Sequence, residues 1–114
     1  LTGDASLAAA ARGYAQFHFE NADPFQLSHY LDGTPGDRVQ REGYGGGGAG
    51  EVLAAGPPSA QAFLDLWLSS PAHRAILLGP DYRDVGVGCF SGPYAGDDGS
   101  VMDAALCVAD LGAP

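Results

Sequence analysis

A chain of 114 residues, 46% hydrophobic and 17% charged, is long enough for one domain with one core, burying about two-thirds of its unfolded surface. Five basic residues, all arginine, stand against 14 acidic ones, a formal charge of -9. Such a field repels phosphate backbones and anionic headgroups, which excludes nucleic acid as a partner, and no run approaches the roughly twenty apolar residues of a membrane span.

In chain order, residues 5–19 read as a helix. Leu7, Ala8, Ala11, Tyr14, Ala15 and His18 recur at spacings of three and four, and Asp4 is placed to cap the start. His18 is then a helix-face residue. Residues 21–32 are mixed, with Pro24 as a breaker, so His29 is expected on a loop or a short turn. A second helix opens at Thr34 as N-cap, with Pro35 at its first position and Asp37 in its first turn, and ends near Gly43. The glycines at 45–48 make a loop without the Lys-Ser/Thr of a phosphate cradle.

Residues 51–55 are a short apolar run between glycines and fit a buried strand. Ser59 caps a further helix with Phe63, Leu64, Trp67 and Leu68 on one face. Pro71 ends it and opens a short helix carrying His73 and Arg74, with Ser70 as cap. Residues 83–90 and 101–111 read as strands joined by a turn-rich segment. Helices, a strand, helices and then a hairpin give an α+β fold, a small antiparallel sheet covered by helices.

Cys89 and Cys107 fall in the two final strands, where a hairpin sets them side by side. A disulfide there stabilises the fold by about 3 kcal/mol and indicates an oxidising, exported location. Two buried free thiols, or a cysteine nucleophile paired with a histidine, are the alternatives; nothing around Cys89 suggests a lowered thiol pKa.

His29, His73 and Glu51 are the candidate chemistry. Two neutral imidazoles and a carboxylate, completed by water, suit zinc and tolerate other divalent ions. The chain has no His-Glu-x-x-His, Cys-x-x-Cys or Gly-x-Ser-x-Gly, so the common hydrolase signatures are missing. From residue types alone, a structural role for each histidine stands beside a ligand role.

The motifs in their order are more specific. His29-x-x-Asp32-Gly33, Gly36-Asp37-Arg38, Glu42-Gly43-Tyr44, Gly50-Glu51, the block from Trp67 through Ser70-Pro71-Ala72-His73-Arg74 to Leu77, and Tyr82-Arg83-Asp84-Val85-Gly86 together resemble the bacterial branch of the CAP superfamily, which groups cysteine-rich secretory, antigen 5 and pathogenesis-related proteins and whose domain is also called SCP. The resemblance spans essentially the whole chain. It implies one domain over residues 1–114, a three-layer α-β-α sandwich and a central cleft. It also implies that His29, Glu51 and His73 are the cleft residues. Three departures accompany it. Ser70 stands where animal and plant members carry a second glutamate. Val52 replaces the usual Asn. The family's usual first helix has no counterpart before residue 5.

The resulting expectation is a monomeric, extracellular or secreted domain. Its His29, His73 and Glu51 would hold zinc or another divalent cation, and its cleft would take a small-molecule, lipid or peptide ligand. A metal-dependent hydrolase with Glu51 as general base, and an interaction domain with a vestigial cleft, are the alternatives. Asp37 and Arg38 read as framework, Arg74 as a cleft residue for an anionic group or a partner for Asp81 or Asp84, and Phe63 and Trp67 as core.

Overall fold

A computed structural model describes residues 1–114 and contains four helices and one four-stranded sheet. α1 (Ala5–Asn21) starts where Asp4 Oδ1 accepts from the Leu7 N–H at 2.9 Å, and buries Leu7, Ala10, Ala11, Tyr14, Ala15 and His18. It runs two residues past the expected end, to a final turn in which His18 O still accepts from the Ala22 N–H. α2 (Pro35–Arg41) has the reciprocal cap that its sequence suggests: Thr34 Oγ1 accepts from Asp37 N–H, and the Asp37 carboxylate accepts from Thr34 N–H. These bonds to Thr34 hold the Asp37 carboxyl below the usual carboxylate range.

β2 (Ala49–Gly56) is followed by α3 (Ala60–Ser69), capped by Ser59, and by α4 (Pro71–Leu78). Ser70 occupies the N-cap position of α4, but its hydroxyl makes no capping hydrogen bond, and Pro71 at the first turn sets the start. β3 (Asp84–Ala95) and β4 (Val101–Gly112) form the expected hairpin; β3 runs five residues further toward the turn than its apolar run suggests, and β4 starts where expected. The sheet order is β1-β3-β4-β2, with β2 and β3 antiparallel to β4. β1 (Thr2–Gly3) is a two-residue parallel addition to β3, too short to be read from sequence periodicity.

Alternation along the strands sends residues to two faces. Leu53, Leu106 and Val108 pack against Ala11, Tyr14 and Ala15 of α1, while Val52, Ala54, Ala105, Cys107 and Ala109 pack against Phe63 and Trp67 of α3. This is the expected α-β-α sandwich. α1 lies so close to β3 that a Cβ at Gly86 or Gly88 would run into the backbone of Ala8 or Arg12. Cys89 and Cys107 are direct cross-strand partners and form the disulfide.

Candidate functional site

The loop that carries His29 is held by α1 from below. His18, fully buried, accepts from the Ser28 N–H through Nε2 at 3.1 Å; the Tyr14 hydroxyl donates to Ser28 O and accepts from the Leu31 N–H at 3.2 Å. The helix-face histidine therefore has a positioning task. Burial raises the Tyr14 pKa, as expected for a phenol that keeps its proton to donate.

Arg38 ties this loop to the sheet. Its guanidinium lies 3.5 Å from the centre of the Tyr14 ring, and its Nη1 donates to the carbonyls of His29, Asp32 and Gly33 at 2.9, 3.1 and 3.3 Å. Its Nη2 donates to Glu51 Oε2 at 2.7 Å, with both side chains buried. The framework role holds, and it lies at the centre of the site. An ion pair so short and dry is costly to break, because either charge left alone is stranded away from water.

Glu51 uses its second oxygen on His29, with Oε1 2.9 Å from Nδ1. An ionised carboxylate only accepts, so a neutral His29 must carry its proton on Nδ1 and keep the lone pair on Nε2. The imidazole is 39% exposed and borders an open cleft of about 440 Å³, whose other walls include Tyr30, Pro35, Gly50, Ile76 and Tyr82. Gly50 leaves room for the Tyr82 ring: a Cβ would meet it at 2.8 Å and push it aside.

Asp110 completes the network and escapes the sequence reading. It is the cross-strand partner of Glu51, fully buried, with neither carboxyl oxygen hydrogen-bonded to a donor. Burial, and secondarily Glu51, push its pKa up to about 9. The missing donors and the raised pKa have one physical resolution. Protonated, Asp110 supplies its own donor toward Glu51, and the pair holds one negative charge against Arg38. Its one sequence signal is an aspartate sharing a strand face with Leu106 and Val108.

His29 and Glu51 are thus brought together, as the sequence suggests. His73, on α4, is half-buried with Nδ1 unpartnered and does not line the cleft; the α4 residue that does is Ile76, one turn on. Both oxygens of Glu51 are engaged by His29 and Arg38, and no group of three or more His, Cys, Asp and Glu side chains is arranged to hold a metal ion. The donors as placed do not fit the zinc set expected of His29, His73 and Glu51. Arg74 makes no ion pair with Asp81 or Asp84; Asp84 instead accepts from the Tyr44 hydroxyl at 2.7 Å, and burial, with this bond second, pushes Tyr44 up to about 12.

Comparison with known proteins agrees with this architecture. The sequence profile described as the cysteine-rich secretory protein family, CAP, matches residues 1–108. An uncharacterized Bacillus subtilis protein, YkwD, is 28% identical over 85 residues, 75% of this chain and 33% of YkwD. An extracellular protein containing a SCP domain from Bacillus anthracis superposes over 100% of this chain and 34% of its own, with TM-score 0.78 and 29% identity. An outer surface protein from Borrelia burgdorferi superposes over 99% of this chain and 77% of its own, with TM-score 0.73 and 25% identity. The chain spans about a third of the length of the two Bacillus proteins. With the profile covering all but the last six residues, the chain belongs to the cysteine-rich secretory protein (CAP) family.

Proposed function

We propose that this chain is an extracellular ligand-binding module whose cleft reads its ligand through His29 Nε2. The observation that carries the reading is the division of Glu51 between His29 and Arg38. With both oxygens engaged and the side chain only 1% exposed, Glu51 is suited to orienting the imidazole and poorly placed to activate a water. His29 then presents a fixed acceptor to an open cleft, beside the Tyr30 and Tyr82 rings and the Ile76 side chain. That mixture suits a small polar or peptide ligand better than a sterol, which needs an enclosed apolar cavity. The disulfide, and the likeness to an extracellular protein and an outer surface protein, support the location.

A protein-observed NMR screen of small polar fragments tests this. Fragments that shift the His29 ring signals are expected to bind His29→Ala at least tenfold more weakly and to be indifferent to EDTA. Equal binding to both proteins, or binding only after zinc is added, overturns it.

A further inference from the structure

The outer edge of β2 is covered on both sides of Glu51 and left open at Glu51. In an antiparallel ladder, alternate residues turn their N–H and C=O groups toward the neighbouring strand, and the others turn theirs away. Gly112 O accepts from the Arg83 N–H, so the even-numbered residues of β4 in this register turn toward β3 and the odd-numbered ones toward β2. Gly50, Val52 and Ala54 of β2 therefore complete the ladder with β4, while Ala49, Glu51 and Leu53 turn outward. Two side-chain bonds agree: Trp67 Nε1 donates to Leu53 O at 3.0 Å, and the Tyr82 hydroxyl points at Ala49 O at 3.4 Å.

Between those two covers lies the main chain of Glu51. The residue as a whole is 5% exposed and its side chain 1%, so the surface it shows to the cleft is main chain. An amide donor and a carbonyl acceptor, side by side on an unpaired edge, match one residue of an extended peptide.

We infer that the cleft binds a short extended peptide, one of whose residues exchanges two main-chain hydrogen bonds with Glu51 in the manner of a β-ladder pair. This rests on the cleft being a ligand site and adds the class of ligand. Trp67 and Tyr82 restrict the pairing to that one residue, so a long strand cannot zip along the edge and the sheet is protected from edge-to-edge association. The flanking ligand residue then lies toward His29, whose Nε2 accepts from a donor there. Glu51 serves the site twice, its carboxylate holding His29 and its backbone holding the peptide.

The test uses the 15N-labelled chain and a pooled library of N-acetylated, C-methylamidated tripeptides. The tightest member is expected to move the Glu51 amide proton downfield, and its analogue N-methylated at the paired residue to bind at least tenfold more weakly. Tripeptides that shift His29 but leave the Glu51 amide unmoved, or an N-methylated analogue of equal affinity, overturn the inference. If polar fragments occupy the cleft and no tripeptide does, the peptide assignment falls and the cleft reading stands. If neither binds, both fall.

Discussion

Glu51 and Asp110 face each other across the β2–β4 ladder, and only Glu51 has a guanidinium to balance it. Asp110, raised to about 9 by burial first and by Glu51 second, keeps its proton in the folded chain over a range in which the unfolded chain has lost it. Its contribution to stability is therefore complete below about pH 4 and lost progressively as pH rises toward 9. Urea midpoints are expected to fall from pH 5 to pH 8.5 in the wild type and to vary less in Asp110→Asn, whose amide does not titrate. A wild-type midpoint that climbs over that range, or a variant with an undiminished slope, contradicts the assignment.

Arg38→Ala removes the counter-charge of Glu51 and the donor for three loop carbonyls at once. Breaking a buried pair in this way costs about 3–5 kcal/mol. That is a large part of the 5–15 kcal/mol, roughly, that holds a domain of this size folded. Arg38→Lys is expected to recover less than half, since an ammonium cannot reach Glu51 and the carbonyls together. Denaturant midpoints measure both; an alanine variant within about 1 kcal/mol of wild type refutes the network.

Glu51→Gln tests orientation, read on the folded fraction because the change also removes the counter-charge of Arg38. The amide of glutamine can offer His29 Nδ1 either a donor or an acceptor, so the single tautomer set by the carboxylate is expected to become a mixture. Long-range nitrogen–proton NMR of the imidazole reads this directly: one pattern with protonated Nδ1 in the wild type and an averaged pattern in the variant. The same averaged pattern in both proteins would remove Glu51 from this role.

Cys89→Ala combined with Cys107→Ala opens the covalent loop between β3 and β4. A loop of this size contributes about 3 kcal/mol. Thermal melts of the double variant and of the reduced wild type are expected to fall together by a similar amount. A loss in the double variant alone assigns the effect to packing of Cys107 rather than to the cross-link.

Much of this arrangement is legible in local patterns. Caps at Asp4, Thr34 and Ser59, the breaker at Pro71 and the paired cysteines place the elements, because each is a short-range physical requirement. The pairing of His29 with Glu51 is legible from ordered motifs. Asp110 is not, because its importance comes from register: opposite any other residue of β2 it would not meet Glu51. Arg38 reads as framework for the right reason, a guanidinium beside acids, but its four acceptors come from two stretches, the loop at 29–33 and Glu51 of β2, that only the fold brings together. The two-residue β1 lies below the length at which alternation carries a signal.

The cross-strand disulfide governs what happens when the molecule is unfolded and allowed to fold again. A hairpin that slips by one residue turns every side chain to the opposite face. Here Cys107 faces α3 while Asp110, three positions on, faces α1. With the sulfur atoms joined, Cys89 can meet no residue but Cys107. An oxidised chain thus carries the β3–β4 register through denaturation, and each refolding sets Asp110 opposite Gly86 on the face that α1 covers.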